Sequence, residues 1–535
     1  MPAAQRVSTR ATGIVGLAIL CSRLLGLIRE IVVAALFGAT RNLDAFLTAF
    51  RAPNMLRDLF AEGALSTAFV TTFSRRIATE GEESAWELAS KVATLTMIFM
   101  SGITLLGILF APALITLLAP GFDAEKAALT IQLTRIMFPF ILLVSLAALA
   151  MGMLNARHVF GMPAMASSFF NLGSIIGGVA FCYWLDPQTD WRHPHFGVRG
   201  LVGLSLGTLI GGFMQLVVQF PALRRVGFHF RPDFKWRDAG VRTILVLMGP
   251  ATIAASAVQV NVAVNSGFAS ALGDGPMAWL NIAFRLMQLP LGIFGVAVGT
   301  VTLPMISRSA ATGDIPAFRS ALSHALRLVM LLTIPAAIGL MMLARPIVSL
   351  IYEHGRFDAY ATEQTAMALQ CYAIGLAAYS AVKVLAPAFY ALDRRYLPML
   401  VSMLSIVINF VLNWFFMFKL HLGHRGLALS TSLVAITNFV LLYIMMRRYA
   451  GRLETGALFQ TLAKLLVAGA LLAGVCWLFS GAIFAPGSRI PEWKKILQVL
   501  GAVTAGGLVF FAAAFALRVS ELDDVVEMVR RKLNR

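Results

Sequence analysis

Five arginines occupy positions where a membrane-spanning chain tolerates charge least. Arg23 and Arg29 lie in the middle of the first long apolar segment, Arg51 and Arg57 in the second, and Arg285 in a much later one. A charge at bilayer depth costs roughly 2.5–3.5 kcal/mol even on a lenient insertion scale. Cations kept at that cost without a matching number of buried acids have one simple use, which is to hold an anion inside a water-filled cavity. Arg23 and Arg29 are six residues apart and point about 120° apart on an ideal helix. Both still reach one broad cavity, the more so if Gly26 between them loosens the helix. Arg51 and Arg57 repeat the spacing, and Pro53 between them is expected to kink the segment. The competing reading is internal pairing, for which Glu30, Asp44, Asp58 and Glu62 are the nearby acids. Against full pairing, Arg285 has no acid in its own segment, and Lys383 adds a sixth cation. Lys383 alone is equally well read as a snorkelling or paired side chain. Gln259, Asn261 and Asn265 either line the same cavity or make interhelical hydrogen bonds of modest strength. Asn171, Asn409 and Asn413 are read as helix-joining amides.

Long helices must position these groups. Apolar residues make up 59% of the 535, and 13% are charged, about half the share of an ordinary soluble protein. Mean hydropathy is +0.79. The apolar runs are continuous rather than alternating, which excludes a transmembrane barrel and gives an all-α polytopic membrane protein. The net charge of +18 is spread over short loops, so nucleic-acid binding is set aside. Cys21, Cys182, Cys371 and Cys476 lie in apolar stretches without metal-ligand spacing. The basic start, MPAAQRVSTRATG, lacks a small-residue cleavage site and reads as the entry to an uncleaved first span.

About twenty apolar residues cross a bilayer. Fourteen windows qualify, near 13–37, 44–73, 88–118, 127–154, 162–185, 200–223, 241–271, 277–306, 320–351, 363–391, 397–420, 426–446, 460–484 and 495–518. Loops after even-numbered windows are basic: Arg75 and Arg76, Arg157, the stretch Arg224 to Arg237, Arg308, Arg394 and Arg395, Arg447 to Arg452, and the tail from Arg530. Loops after odd-numbered windows carry acids or balance their charges, as with Asp123, Glu125 and Lys126, with Asp274, and with Glu353, Arg356 and Asp358. Both termini are therefore expected in the cytoplasm, although Arg489, Lys494 and Lys495 run against the rule. The chain also repeats itself. Gly197–Leu201 and Gly423–Leu427 have the pattern GxRGL, and TAFRAPNMLRDLF resembles IAFRLMQLPLGIF, which places Arg51 over Arg285. Two six-helix lobes are expected, 1–225 and 226–452. Residues 453–535 then hold two extra helices and a tail. A two-fold repeat with a site at its interface is transporter architecture. No HExxH, GxSxG, P-loop or acid-rich diphosphate motif appears, so the chain is not expected to be an enzyme or to hydrolyse ATP.

Several stretches are recognisable as text. SRLLGLIRE (Ser22–Glu30), FGAT-x-x-x-DAF (Phe37–Phe46), PNMLRDLFAEGALSTAFV (Pro53–Val70), RLMQLPLGIFGVAVGTVTLP (Arg285–Pro304) and KVLAPAFYALDRR (Lys383–Arg395) closely resemble the lipid II flippase family, MurJ or MviN. That family belongs to the multidrug/oligosaccharidyl-lipid/polysaccharide exporter superfamily, with two six-helix lobes and two further C-terminal helices. The resemblance implies that the chain moves lipid II, the undecaprenyl-pyrophosphate-linked peptidoglycan precursor, from the inner to the outer leaflet of the bacterial cytoplasmic (inner) membrane by alternating access. It implies that Arg23, Arg29, Arg57 and Arg285 bind the pyrophosphate. Asp44 and Glu62 match the family's acidic partners, and Ser22, Arg51, Gln259, Asn261 and Lys383 complete the cavity. The last two helices would offer a groove for the lipid tail. Lipid II and membrane lipids are the implied partners, together with contacts to other cell-wall synthesis proteins, and no cofactor or metal is implied. Phe284 stands where many relatives carry an acid and Thr71 where they carry proline, and the seventh span lacks the aspartate of a sodium site. The alternative is an exporter of another polyprenyl-linked oligosaccharide, or of drugs, in the same superfamily.

The loop charges generate a topology test. Thiols introduced near Asp274 and Glu353 should react with an impermeant reagent added outside. Thiols near Arg231 and Arg394 should react only after permeabilisation, and the reverse pattern would invert the orientation.

Overall fold

A computed structural model describes residues 9–190, 194–481 and 491–522. The tail cations from Arg530 onward and Arg489 lie outside these residues, as does the side chain of Glu62. The chain is helical throughout the described residues and divides into two compact units, Met1–Ala278 with His354–Phe357, and Trp279–Glu353 with Asp358–Arg535.

The first unit contains α1 (Thr9–Phe37), α2 (Arg41–Arg57), α3 (Ser66–Glu80), α4 (Glu82–Leu109), α5 (Ala111–Leu118), α6 (Ala124–Met137), α7 (Phe140–Ala156), α8 (Gly161–Leu185), α9 (Val198–Val217), α10 (Phe220–Arg225) and α11 (Ala239–Ser270). The unit boundary falls inside α12 (Pro276–Pro290). The second unit continues with α13 (Val296–Ala311), α14 (Ile315–Met342), α15 (Ala344–Tyr352), α16 (Ala359–Ile374), α17 (Leu376–Ala391), α18 (Tyr396–Trp414), α19 (Gly423–Ala450), α20 (Thr455–Gly481) and α21 (Glu492–Ala516).

Every one of the fourteen apolar windows is occupied by helix. By length and apolarity, ten helices among the described residues suffice to cross a membrane, and the α16–α17 pair, bent by 43°, makes an eleventh. The cation-bearing α1 and α2–α3 are not among these; each carries several charged residues along its length. Packing divides the chain at 278, whereas the sequence repeat divides it at 225. α11 belongs by contact to the first unit.

Aspartates start the helices that emerge from loops. Asp123, Asp238, Asp314 and Asp358 each accept a hydrogen bond from a backbone N–H in the first turn of α6, α11, α14 and α16, satisfying donors that have no intrahelical partner. Within the first unit α8 and α9 approach at glycines. A β-carbon on Gly207 would lie 2.3 Å from the Gly178 backbone, and one on Gly203 would lie 2.6 Å from the Cys182 nitrogen. This is the small-residue contact that lets membrane helices touch backbone to backbone.

Two expected irregularities fall elsewhere. α1 is unbroken through Gly26, whose bare Cα instead faces the Asn171 amide of α8. α2 runs through Pro53 and widens into a π-helical segment only at Asp58–Leu65. A second π segment, Leu291–Gly295, sits in the repeat-equivalent span directly after Pro290, and a third, Phe415–Lys419, ends α18.

In the second unit α20 packs on α21 and α14, around Phe318, Leu326, Leu465 and Phe510. Arg327 of α14 donates to Glu454 at 2.6 Å and also pairs with the fully buried Glu521. Lys464 Nζ donates to the Arg518 carbonyl at 3.0 Å. Asn413 Nδ2 donates to Asn409 Oδ1 at 2.7 Å, and Ser430 donates to Asn413, so these amides join α18 to α19.

The basic segment between α10 and α11 is pinned to α4. Asp233 N donates to Thr94 Oγ1 at 3.1 Å, and Asp238 accepts from Arg76 at 2.7 Å and from Lys91 at 3.0 Å. Burial pushes the Asp238 carboxyl up, but the bonds from Arg76 and Lys91 outweigh it and hold the group well below the usual carboxylate range. Its stabilising contribution is therefore complete above the unfolded value near 3.9 and fades only as pH falls below it. Asp238→Asn should lower stability by about 2 kcal/mol. In thermal unfolding in detergent, the deficit should be the same at pH 6 and pH 8 and should shrink only in acid.

Candidate functional site

The candidate cations lie on α1 and the α2–α3 run in the first unit and, in the second unit, on α12 and α17. On α1, Arg23 is exposed and Arg29 half-buried. The Arg29 guanidinium lies 5.2 Å from the Phe170 ring centroid of α8, a cation–π contact that orients it without neutralising it. The Ser22 carbonyl accepts from Asn171 Nδ2 at 3.1 Å, so α8 fixes the turn of α1 from which Arg23 projects.

On the second span, Arg57 grips its neighbour Asp58 through Nε at 3.1 Å and Nη2 at 2.7 Å, both to Oδ1. The pair is partly open, with 22% and 34% of the two side chains exposed, so the guanidinium is only locally balanced. Asp58 Oδ2 also accepts from Gln259 Nε2 of α11 at 3.4 Å. Arg51 donates to Ser266 of α11. Asn261 Oδ1, two residues beyond Gln259 on α11, is buried with no hydrogen-bond partner among the described residues.

Asp44 is placed differently. It is fully buried at the head of α2 and accepts from Gly275 N at 2.6 Å, Ala278 N at 3.0 Å and Lys126 Nζ at 3.3 Å. The carboxylate thus caps the start of α12 and holds Lys126, which also reaches Asp274 at 2.8 Å. Next to this node Arg41 pairs with Asp123 and with Glu125. The hydrogen bond from Arg41 and the Lys126 N–H draw the Asp123 carboxyl down to about 2.

In the second unit Arg285 is exposed on α12. The preceding Phe284 turns its ring edge-on to Tyr372 with centroids 5.3 Å apart. Lys383 is exposed on α17. Among the described residues no cluster of His, Cys, Asp or Glu suits a metal ion, and the four cysteines are free thiols.

The sequence reading counts Lys126 and Asp274 as loop charges and leaves out Ser266. Lys126 is 2% exposed. The available signal is an acid heading one span and a lysine heading another, both in segments otherwise poor in cations. Chemically, the guanidiniums and amides on these helices are hydrogen-bond donors of the kind that suit an oxyanion.

The family model described as lipid II flippase MurJ matches residues 33–491. The chain is 33% identical over 502 residues to the lipid II flippase MurJ of Burkholderia cenocepacia, covering 93% of this chain and 94% of that one. It is 34% identical over 469 residues to the probable lipid II flippase MurJ of Vibrio cholerae, covering 85% and 86%. A solved lipid II flippase MurJ in an inward closed conformation superimposes with a TM-score of 0.75 at 25% identity, covering 97% of this chain and 99% of that chain. A multidrug MATE-family transporter shares the fold, at 16% identity and a TM-score of 0.69 over 81% of this chain and 96% of that one.

The Asp44 node makes its own prediction. Asp44→Asn leaves the Lys126 ammonium buried with one acid fewer and should cost about 3 kcal/mol. Lys126→Met in the same chain should recover part of that loss, because the stranded charge is then gone. Thermal unfolding of the two single variants and the double variant in detergent reads the coupling, and strictly additive losses would disprove it.

Proposed function

The chain belongs to the lipid II flippase MurJ family, and from that premise we propose how its own residues handle the lipid. The protein is a flippase for lipid II, a transporter and not an enzyme. Its pyrophosphate is held by Arg23, Arg29, Arg57 and Arg285. What carries this reading is that these four guanidiniums sit on spans one, two and eight, each either exposed or only half-buried. A pyrophosphate presents many acceptor oxygens, and an arginine fork binds two of them with charge-assisted hydrogen bonds. Ser22, Gln259, Asn261, Glu62 and Lys383 are the supporting polar groups, with Asp44 and Arg51 acting through the helices they fix.

Lipid II passes from the inner to the outer leaflet by alternating access of the two repeat lobes, 1–225 and 226–452, with both termini in the cytoplasm and the protein in the inner membrane. The lipid tail stays in the bilayer or follows a groove on α20 and α21. A net-positive site also offers coupling to the membrane potential, worth about 2.3 kcal/mol per charge per 100 mV. Contacts with other cell-wall synthesis proteins remain part of the proposal. The rival drug exporter is not favoured. A cationic drug needs a free buried acid, and the acids seen here are engaged: Asp44 by Lys126 and Asp58 by Arg57.

Replacing any one of the four arginines with alanine should lower lipid II translocation by about a hundredfold, the loss of ~3 kcal/mol expected for a charged bidentate contact. Membrane insertion should stay normal. Lysine should rescue poorly, since it lacks the planar fork. Outer-leaflet lipid II accessibility after depletion and complementation measures this, and alanine variants that complement would refute the anion site.

A further inference from the structure

Between α10 and α11 the sequence interleaves rings and cations: Phe230, Arg231, Phe234, Lys235, Trp236 and Arg237. The two acids of this connection are Asp233 and Asp238. The fold sorts these groups by face. Both acids turn to the protein, where Asp238 accepts from Arg76 and Lys91 and Asp233 lies 3.9 Å from the Lys91 ammonium. Phe228 also turns inward and packs on Trp86. Phe230, Phe234 and Trp236 stay outside, 44%, 65% and 61% exposed. Arg231, Lys235 and Arg237 are exposed as well, and none of the three forms an ion pair among the described residues. The Arg237 guanidinium lies 4.9 Å from the Trp236 ring centroid, a cation–π contact that keeps its charge available.

The backbone fixes the depth of this strap. Phe228–Lys235 is not helical, so its N–H groups need partners elsewhere. Arg231 N donates to Ser90 Oγ at 3.4 Å and Asp233 N to Thr94 Oγ1 at 3.1 Å. Ser90 and Thr94 are buried, one turn apart on α4, within the first two turns of the apolar window that starts near 88. The strap therefore runs beside the first about 6 Å of a span, the level at which headgroups meet acyl chains. The span Val198–Arg225 delivers the chain to that level, and α11 leaves from it. Amphipathic rings and long basic side chains both gather there. Internal packing uses Phe228 and leaves the other three rings unexplained.

We propose that residues 229–237 form a docking surface for anionic phospholipid headgroups. Arg231, Lys235 and Arg237 hold the phosphates, and Phe230, Phe234 and Trp236 seat among the upper acyl carbons. Charge selects the occupant. Three unpaired cations with their neighbouring acids turned away gain little from a zwitterionic headgroup and most from one of net negative charge. Asp238 both ends the docked stretch and caps α11, so the docked lipid fixes where α11 enters the bilayer. The inference depends on the chain spanning a membrane and not on which lipid it transports.

The test reports from the surface itself. In a chain with its four native cysteines replaced, His229→Cys carries a bimane fluorophore. The protein is placed in phosphatidylcholine nanodiscs containing a small share of either phosphatidylglycerol or phosphatidylcholine, spin-labelled near the top of the acyl chain. Quenching should show phosphatidylglycerol favoured at the probe by at least about tenfold, since three surface cations together are worth on the order of a hundredfold in affinity. Arg231→Gln/Lys235→Gln/Arg237→Gln changes only exposed side chains and should abolish the preference. Phe234→Ser/Trp236→Ser keeps the cations and should keep the preference, while quenching by both lipids weakens as the strap rises from the acyl chains. Equal quenching by the two lipids in the parent, or a preference that survives the glutamine variant, would overturn the docking surface. Unchanged quenching in the serine variant would overturn the seating of the rings. Negligible quenching by either lipid in the parent would give the face to a soluble partner and reject the lipid. Displacement of the spin-labelled phosphatidylglycerol by stoichiometric lipid II would assign the strap to the substrate and equally reject the proposal.

Discussion

An ionised side chain at bilayer depth has two tolerable settings, a protein counter-charge or water. This chain uses both, and the choice sorts its residues by role. Asp44, Lys126 and Asp274 form a closed node at the head of two spans, where a carboxylate also caps the next helix. Arg57 and Asp58 are adjacent and partly open. Arg23, Arg285 and Lys383 are exposed. Charge is neutralised where a helix start has to be fixed and stays open to its surroundings at these other positions.

The same constraint shapes the cytoplasmic ends proposed for both units. Asp238 gathers Arg76 and Lys91 and so ties the long basic segment to α4. Arg327 gathers Glu454 and Glu521 and so ties both ends of the α20–α21 hairpin to α14. In each case one charged residue accepts or donates to two opposite charges from distant parts of the sequence. The flanking helices could slide on purely apolar contacts, and these junctions fix where they stop.

Much of this was legible beforehand. Continuous apolar windows located the helices, and arginines inside the apolar segments of spans one, two and eight nominated the candidate residues, because hydropathy and charge cost act locally along the chain. The GxRGL echo and the pairing of Arg51 with Arg285 exposed the duplication. What escaped notice depends on partners far apart in sequence. Lys126 is indistinguishable from a loop lysine until Asp44 is beside it. Ser266 is one of many serines until Arg51 reaches it. Gly26 and Pro53 invited a break in their helices. The structure instead uses Gly26 as room for the Asn171 amide and accommodates Pro53 within α2, and neither outcome follows from propensity alone. Packing assigned α11 to the first unit, a grouping that the repeat does not reveal.

The π segments at Asp58–Leu65 and Leu291–Gly295 have a consequence for how one span can serve two environments. A π turn takes up an extra residue, and each such insertion advances every later side chain by about 100° around the helix axis. The stripe that α2 shows its neighbours is therefore out of phase with the stripe shown by α3, though the backbone never breaks. A single rod can then present cations in one direction at one depth and buried phenylalanines, Phe69 and Phe73, in another direction at the next. The same phase shift recurs at Leu291–Gly295, in the span whose sequence resembles α2.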